Sequence, residues 1–258
     1  MTRGQGKYGG LLRCGLIDIQ VIASGSTGNC YKITAGTDVL IIECGIRFQL
    51  IREAFKFQLS RVCGCLLTHE HQDHAKAAKD IMKAGVPVYM SAGTAENLSL
   101  TGHRAKIVKP LVKFQVGGFT VLPFPVEHDA SEPLGFLIQG KSGEKLLFCT
   151  DTYYVKYRFK GVNYFLIECN YSSKILAENI ASGFVSPSME SRIKRSHFEL
   201  ERVKEFFRAN DLRKCRGIWL IHVSRGNGDP ELFKSEIEGV SGVPVHVEVA
   251  SLAQRLEV

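Results

Sequence analysis

The chain has 258 residues, is 45% hydrophobic and carries a formal net charge of +7 at pH 7. It can bury a full core, so we expect one large domain at residues 14–258, preceded by a loose tail at residues 1–13. No apolar run approaches the length of a membrane span, and Arg13 and Asp18 interrupt the apolar stretch near the N-terminus, which excludes a clean signal-peptide core. The basic charge favours a polyanionic partner.

The eight cysteines form no C-x-x-C pair, and most of them lie in apolar runs typical of strands. Free cysteine in such runs behaves as a small buried hydrophobic residue. We therefore expect a reduced, cytoplasmic protein.

In the first half of the chain, apolar runs and turn residues predict a β-meander followed by alternating helices and strands. The predicted strands are Leu16–Ala23, Cys30–Thr34, Val39–Ile42, Cys63–Leu67 and Val86–Met90. The predicted helices are Arg47–Phe57, Ala75–Ala84 and Ala92–Leu98. Gly85 follows the second of these helices and Pro87 comes shortly after, which is the pattern expected where a helix ends.

The second half begins with strands and continues with helices around further strands. The predicted strands are Ile107–Val116, Phe119–Pro123, Leu134–Gln139, Lys145–Cys149, Tyr164–Glu168 and Gly217–His222. The predicted helices are Ser173–Ser182, Phe198–Ala209 and Pro230–Glu238. Strands followed by helices in both halves predict an α/β (α+β) fold, arranged as an αββα sandwich.

The segment Gly183–Ser196 is predicted to be a loop, and it contains the basic residues Arg192, Lys194 and Arg195. It is either a loop at the edge of an active site or a solvated connector, and its composition leaves both interpretations open. In the first case, we expect Arg195 to contact a substrate.

Four potential metal ligands lie within six residues, directly after the predicted strand Cys63–Leu67: His69, His71, Asp73 and His74. On an extended strand end, His69 and His71 point the same way and can bind one ion. Asp73 and His74 follow the turn and can reach a second ion. This histidine loop, residues 68–74, therefore predicts two metal ions side by side.

Two ions need more ligands than the histidine loop holds, because each ion requires at least three protein donors and an open position. Three polar residues at the ends of later strand-like runs are candidates: His128, Asp151 and His222. Taken singly, each would more often be an ordinary hydrogen-bonded residue at a strand end. Their order after the histidine loop is what distinguishes them.

Together these residues reproduce the motif series of the metallo-β-lactamase fold, which the chain resembles from Ile17 to Val247. The resemblance implies two metal sites that share one carboxylate. Their ligands are His69, His71 and His128 for one ion, Asp73, His74 and His222 for the other, and Asp151 for both. Imidazole and carboxylate donors suit two divalent ions, Zn²⁺ or Mn²⁺. Asp73 could also accept a proton from the attacking water.

The surroundings of the ligands follow the same fold with one departure. The first motif of the fold is usually an aspartate followed two residues later by glycine, whereas this chain has Glu43-Cys44-Gly45. The extra methylene group of Glu43 alters the hydrogen bonding that we expect to orient the histidine loop. Thr68 is expected to support the same loop.

Within this superfamily, the chain is similar to the YycJ/WalJ-type proteins in several phrases. These are Ala23–Asn29, Thr68–His71, His128–Ala130, Glu132-Pro133, Gly135-Phe136, Thr150–Thr152 and Ile167–Asn170. Proteins of that type are regarded as metal-dependent nucleases that act on DNA from a 5′ end. The resemblance therefore implies a phosphodiesterase.

The resemblance also implies a catalytic role for His197. Nuclease-type members carry a histidine at this place, which contacts the scissile phosphate and can protonate the leaving oxygen; its usual Ser or Thr neighbour is here Phe198. A capping or surface histidine is the alternative. The glycine-rich segment Ser24–Asn29 either offers backbone N–H groups to a phosphate, with Ser26 and Asn29 as substrate contacts, or forms a tight β-turn.

The leading hypothesis is a two-metal DNA exonuclease that its basic charge draws to the nucleic-acid backbone. A cyclic-nucleotide phosphodiesterase or an RNA-processing nuclease of the same fold is the alternative, although only 70 residues separate Asp151 from His222 and leave no room for a large inserted domain. A thioesterase- or lactonase-type hydrolase and a non-enzymatic binding module are weaker alternatives. We expect DNA rather than RNA as the partner and no membrane contact, and a homodimer is left open.

Overall fold

The first sheet combines an antiparallel meander with parallel strands. The computed structural model describes residues 16–248, so the tail predicted at residues 1–13 lies outside the described residues. The strands, in their order across this sheet, are β1 (Ile17–Ala23), β2 (Cys30–Ala35), β3 (Asp38–Ile42), β4 (Val62–Leu66), β5 (Val88–Met90) and β6 (Ala105–Ile107). Pairing is antiparallel from β1 to β3 and parallel from β3 to β6.

The second sheet repeats this plan. Its strands, in order across the sheet, are β7 (Phe114–Val116), β8 (Phe119–Pro125), β9 (Leu134–Gln139), β10 (Lys145–Cys149), β11 (Tyr164–Glu168), β12 (Gly217–Ile221) and β13 (Val245–Val247). Pairing is antiparallel from β7 to β10 and parallel from β10 to β13. The carboxyl ends of β10, β11 and β12 therefore lie at one edge of the sheet, where ligand sites of α/β proteins are commonly found.

The helices begin and end at recognisable local signals. They are α1 (Phe48–Ala54), α2 (Gln72–Ala75), α3 (Ala78–Lys83), α4 (Ala92–Asn97), α5 (Ser173–Ala181), α6 (Pro187–Ser196), α7 (Leu200–Ala209) and α8 (Pro230–Ser241), and a short 3₁₀ helix covers Leu59–Arg61. At the start of α8, the Asp229 side chain accepts two backbone N–H groups and Pro230 occupies the first turn. Gly242 ends this helix with a left-handed φ of 65°.

Apolar side chains pack in three layers, which makes the protein an αββα sandwich. Ile51 of α1 and Ile81 of α3 pack against the outer face of the first sheet. Val203 of α7 and Phe233 of α8 pack against the outer face of the second sheet. The layer between the sheets contains fully buried aromatic rings, including Phe148. The predicted α/β class and sandwich architecture are confirmed.

One predicted strand is in fact two short strands in different sheets. The prediction for Ile107–Val116 fails because β6 ends at Ile107 and β7 starts at Phe114. Between β6 and β7, Pro110 lacks a backbone N–H and Leu111 has a left-handed φ of 63°. The chain therefore turns there from one sheet to the other. The edge strand β13 was not predicted.

Two helices also differ from the predictions. The segment Gly183–Ser196, predicted to be a loop, contains α6. Ser186 caps α6, Pro187 occupies its first turn, and Lys194 lies 2.6 Å from Glu190 one turn away. The helix predicted to start at Ala75 is preceded by the short α2. Within residues 16–248, no helix combines the length and the apolar character needed to cross a bilayer.

Candidate active site

The candidate site lies where strands of both sheets end. β4 leads into the histidine loop, β10 leads to Asp151 and β12 leads to His222. His128 follows the end of β8 after a short connection. Rigid strands therefore hold the side chains that the sequence predicts as metal ligands.

Three residues at these strand ends adopt a left-handed backbone conformation, with φ values of 60° at Glu43, 45° at Asp151 and 54° at His222. Such a conformation costs about 1–2 kcal/mol for a residue with a Cβ atom. It turns the chain sharply as the strand ends. Strain of this kind is concentrated at functional sites, where the surrounding structure holds it in place.

Three imidazole nitrogens converge in the first donor group, which consists of His69, His71 and His128. Nδ1 of His71 lies 3.1 Å from Nε2 of His69 and 3.2 Å from Nε2 of His128. Nitrogens about 2.0–2.1 Å from a tetrahedral zinc ion would lie about 3.3–3.4 Å apart. The spacing therefore fits three ligands around one ion.

Contacts on the far side of two rings orient the nitrogens that face the centre. Nδ1 of His128 donates to the backbone carbonyl of Ser196 at 3.1 Å, and because a carbonyl can only accept, Nε2 keeps its lone pair. Nδ1 of His69 lies 2.8 Å from the hydroxyl of Thr68, as expected for a residue that supports the loop. Burial, together with the nearby His74, lowers the pKa of His69 well below its ordinary value. Neutral imidazole is the form that binds a metal.

The second donor group consists of Asp73, His74, Asp151 and His222. Oδ2 of Asp73 lies 3.3 Å from Nε2 of His74 and 3.4 Å from Nε2 of His222. Oδ2 of Asp151 lies 3.4 Å from Nε2 of His74, and 3.7 Å from Nε2 of His128 in the first group. Asp151 thus lies between the two groups, at the position that the resemblance implies for a shared ligand.

The donor groups fit divalent cations in chemistry and in charge. Burial would raise the pKa of Asp151, but His222 and His74 outweigh burial and hold this pKa well below its ordinary value, so the carboxylate is an anion. Nδ1 of His74 and Oε2 of Glu43 are buried, lie 3.4 Å apart and have no hydrogen-bond partner within residues 16–248. A cation at Nε2 of His74 would place the ring proton on Nδ1, facing the Glu43 carboxylate, as in carboxylate–histidine–metal arrangements.

Asn29 supports the histidine loop instead of facing the cavity. It is completely buried, and its backbone N–H and its side-chain amide both donate to the backbone carbonyl of Asp73, at 2.8 and 3.2 Å. Its Oδ1 accepts the backbone N–H of Gly25 at 2.9 Å, which closes a tight turn. The prediction of Asn29 as a substrate contact is therefore corrected, because no part of this side chain reaches solvent.

Glu168, at the end of β11, is a candidate that the sequence analysis did not assign. Its Oε1 lies 2.7 Å from Nδ1 of His197 and 3.0 Å from Nδ1 of His222. Its Oε2 accepts the backbone N–H groups of Thr152 and Phe198. Burial would lower the pKa of His197, but the Glu168 carboxylate outweighs burial and raises it. The position of Glu168 at the end of an apolar strand is the sequence signal that could have identified it.

The donor groups open into a cavity of about 540 Å³. Its rim includes Ser26 and His197, together with Met189 and Arg192 of α6. Arg195 lines an adjoining cavity of about 340 Å³, which also contains His128 and Arg192. The structure therefore brings Ser26 and His197 to the donor groups and places Arg195 beside them.

A comparison with protein families identifies the fold family of this arrangement. The family described as the beta-lactamase superfamily domain matches residues 35–222, which contain every member of both donor groups. The chain belongs to the metallo-β-lactamase superfamily. Members of this superfamily are metal-dependent hydrolases, and this chain has the histidine and aspartate donors that a divalent ion needs.

Two relatives within this superfamily resemble the chain over much of its length. The exodeoxyribonuclease YycJ of Bacillus anthracis is 32% identical over 173 residues, which make up 62% of this chain and 65% of that protein. The exodeoxyribonuclease WalJ of Streptococcus pneumoniae serotype 2 is 25% identical over 230 residues, which make up 82% of this chain and 83% of that protein. The chain thus spans slightly less than two thirds of YycJ.

Solved metallo-β-lactamase-fold structures superpose on most of the chain. YhfI from Bacillus subtilis has a TM-score of 0.69 at 15% identity, and the superposition covers 90% of this chain and 96% of YhfI. A diphosphatase of the PhnP family has a TM-score of 0.61 at 12% identity, with 90% and 94% covered. The short form of human tRNase Z has a TM-score of 0.60 at 12% identity, with 90% and 96% covered. At these identities the likeness establishes the fold alone.

Chelation of bound divalent metal is expected to lower the melting temperature of this metallo-β-lactamase-fold protein by about 5–10 °C, since a tightly bound ion stabilises only the folded state. Without a bound ion, the converging lone pairs and buried charges of the two donor groups repel one another. Metal analysis and thermal unfolding before and after chelation test this, and adding Zn²⁺ or Mn²⁺ back should restore the original value. An unchanged melting temperature in fully metal-free protein would contradict the prediction.

Substitution of Gly45 by alanine is expected to displace the histidine loop. A Cβ atom at Gly45 would lie 1.6 Å from the backbone carbonyl oxygen of Asp73 and 2.6 Å from the backbone nitrogen of His74. Because backbone atoms cannot swing aside, we expect the free energy of unfolding to fall by about 3 kcal/mol or more. Metal content should fall as well. Denaturant titration and metal analysis are the measurements.

Gly239→Ala provides the matched control for Gly45→Ala. Gly239 lies within α8, and a Cβ atom there would meet no atom within 4 Å. Alanine at an open helical position is neutral or stabilising by up to about 1 kcal/mol. Equal stability and metal content of the two variants would show that the contact between Gly45 and the histidine loop does not matter.

Proposed function

We propose that this protein is a phosphodiesterase that hydrolyses nucleic acid, and more specifically a DNA exonuclease of the YycJ/WalJ type. The observation that carries the proposal is the pairing of His197 with Glu168 beside the donor groups, at 2.7 Å. The two relatives named as exodeoxyribonucleases support the same reaction. The net charge of +7 favours a polyanionic substrate.

We propose two divalent ions, Zn²⁺ or Mn²⁺, as cofactors. The first donor group would hold one ion and Asp73, His74 and His222 would hold the other, with Asp151 facing both. When bound, such a pair of cations activates water near neutral pH and neutralises charge on phosphate oxygens. Glu43 faces Nδ1 of His74 at 3.4 Å and Thr68 faces Nδ1 of His69 at 2.8 Å, and we propose that these two residues orient the rings.

Asp73 is the carboxylate that we propose as the acceptor of the proton from attacking water. Its side chain is 26% exposed, whereas that of Asp151 is only 4% exposed, so water in the cavity reaches Asp73 more readily. Oδ2 of Asp73 lies within 3.4 Å of Nε2 of both His74 and His222, which places its carboxylate at the second donor group. Ser26, exposed at the rim, and Arg195, beside His128, are proposed contacts to the substrate.

His197 is proposed to protonate the leaving oxygen. Glu168 occupies Nδ1 of this ring, which leaves Nε2 for a substrate atom in the cavity. The alkoxide released from a phosphodiester needs a proton, and a positioned acid supplies it. A thiolate leaving group has much less need of one, so a paired histidine at this place favours phosphodiester hydrolysis over thioester hydrolysis.

The test is the release of mononucleotides from 5′-phosphorylated linear duplex DNA by protein loaded with Mn²⁺ or Zn²⁺, with Asp73→Ala as the control. We expect release by the wild type and none by the variant. Parallel reactions with single-stranded RNA, a cyclic nucleotide and a thioester compare the competing substrates. Hydrolysis of the cyclic nucleotide or the thioester without release from DNA would overturn the proposal.

A further inference from the structure

A row of exposed side chains leaves the site along the segment that follows Asp151. From residue 153 to residue 160 the chain forms neither helix nor strand, and its side chains alternate between the core and solvent. The buried set includes Val155 and Phe159, which pack against the second sheet. The exposed set is Tyr154, Lys156, Arg158 and Lys160, one aromatic ring followed by three cations. In an extended chain, alternate side chains on one face are about 6.5–7 Å apart.

Hydrogen bonds hold both ends of this segment in place. At the start of the segment, the backbone carbonyl of Tyr153 accepts a hydrogen bond from Nη1 of Arg202 at 3.1 Å. The backbone N–H of Tyr153 donates to the backbone carbonyl of Glu127 at 3.2 Å. At its end, the backbone N–H of Phe159 donates to Oδ1 of Asn210 at 2.7 Å. The exposed row is therefore ordered before any ligand arrives, which lowers the entropic cost of binding.

Two cations of this row can bind an anion, although Lys156 also lies over the Tyr157 ring, 5.5 Å from its centroid. Within residues 16–248, neither Lys156 nor Arg158 takes part in an ion pair. Together with Tyr154 and Arg202 they line a cleft of about 240 Å³, in which Glu205 is the one acidic residue among those that line it. The cleft therefore carries a positive charge.

The row begins one residue after a residue that lines the cavity next to the metal site. The cavity at the donor groups shares Arg192 and His128 with the adjoining cavity, which Arg195 and Tyr153 also line. Tyr153 is followed directly by Tyr154 at the entrance to the basic cleft. Acidic groups are present here too, since Glu127 and Asp129 line the adjoining cavity and Asp129 lies 3.8 Å from Arg192. The adjoining cavity therefore has two cations and two acidic residues, whereas the basic cleft has three cations and one acidic residue.

We propose that these residues form a track for a single strand of nucleic acid, consisting of Tyr154, Lys156, Arg158, Arg192 and Arg195. The track holds the strand beyond the bond that is cut. This inference rests on the proposed function and refines it, because it assigns a polymer as the substrate and not a cyclic nucleotide. Alternating cations follow the phosphates of an extended backbone, and the ring of Tyr154 offers a surface on which a base stacks.

The test separates binding along the track from hydrolysis at the metal site. Binding of fluorescein-labelled dT16 and dT4 to Mn²⁺-loaded protein is measured by fluorescence anisotropy. Both oligonucleotides have a phosphorothioate backbone, which keeps its negative charge and resists hydrolysis. Turnover of bis(p-nitrophenyl) phosphate, which is too small to reach the track, is measured alongside. The variant is Lys156→Glu/Arg158→Glu, and Tyr154→Ala tests stacking separately.

A matched control is Arg61→Glu/Lys214→Glu, which changes the net charge by the same amount. Both residues are exposed, and neither forms an ion pair within residues 16–248. Arg61 precedes β4 and Lys214 precedes β12, so both lie at the strand ends opposite to the metal site. This control measures the general effect of lost positive charge.

We expect the track variant to bind dT16 at least about tenfold more weakly, and its slope of log affinity against log salt to fall by about 1.4 for two lost phosphate contacts. Tyr154→Ala should weaken dT16 binding about fivefold or more. Affinity for dT4 and turnover of the small diester should stay close to wild type. Undiminished binding of dT16 to the track variant, or an equal loss in the control, would overturn the track.

The two proposals fail in different ways. If the wild type binds dT16 through the track but hydrolyses neither DNA nor the small diester, the proposed function fails and the track stands. If it hydrolyses DNA and the small diester while the track variant binds dT16 normally, the track fails and the proposed function stands.

Discussion

Asp151→Asn is expected to lower kcat for phosphodiester hydrolysis by about a thousandfold or more, and to lower metal content. Oδ2 of Asp151 lies 3.4 Å from His74 and 3.7 Å from His128, so this one carboxylate faces both donor groups. Asparagine keeps the size of the side chain but removes the negative charge. The imidazoles would then face the cations with one fewer anion to balance them. Steady-state kinetics and metal analysis of the purified variant are the measurements.

Asp80→Asn is the control for this prediction. Asp80 lies in α3, has a half-exposed side chain 3.7 Å from Lys83, and lines neither the cavity at the donor groups nor the adjoining one. Loss of its charge should leave metal content unchanged. Circular dichroism checks that both variants are folded. A normal metal content in Asp151→Asn, or an equal loss of metal in both variants, would remove Asp151 from the position between the ions.

The predicted metal ligands could be read from the sequence because each follows an apolar run. His69, Asp151 and His222 come shortly after β4, β10 and β12, and such runs are the clearest local signal of a buried strand. In an α/β sandwich these ends meet at one edge, so ligands far apart along the chain converge. The structure brings the whole predicted set into two donor groups.

The strand end locates Glu168, but its contact with His197 depends on packing that no local pattern reports. Its partner His197 is 29 residues further along the chain and reaches it only because α6 ends against the site. The left-handed backbone at Asp151 and His222 is equally hidden, since neither residue type demands it. Asn29 shows the same limit, because a glycine-rich turn can face a ligand or a neighbouring loop, and only tertiary contacts decide.

The helix α6 was missed because it has few apolar residues. Ile193 is the partly buried residue of α6 that packs into a small core with Leu176 and Val185. The remaining signals, a serine cap, Pro187 in the first turn and an ion pair one turn apart, are individually weak. A polar helix with one apolar contact therefore has the composition of a loop.

His197→Ala is expected to lower kcat on DNA by about a hundredfold to ten-thousandfold, the range for loss of a positioned acid. The loss should depend on the leaving group. An alkoxide from DNA needs the proton that His197 supplies, whereas p-nitrophenolate departs without one, so turnover of bis(p-nitrophenyl) phosphate should fall much less. Kinetics of the variant on both substrates test this. His197 is absent from the first and second donor groups but forms a third cluster with Asp151, Glu168 and His222, so metal analysis of the variant must show that the loss of activity is not a loss of metal.

The leaving-group comparison separates acid catalysis from a structural role. His103→Ala, which removes an exposed histidine outside the cavity, should change neither reaction. Glu168 contacts His197 at 2.7 Å, so Glu168→Gln alone should slow hydrolysis of DNA more than hydrolysis of the small diester. In the His197→Ala background, Glu168→Gln should no longer produce this difference between the substrates, because the two residues act as one unit. A fall of equal size on both substrates in His197→Ala would instead mean that the ring only supports its neighbours, since the departing atom would then have no influence on the loss.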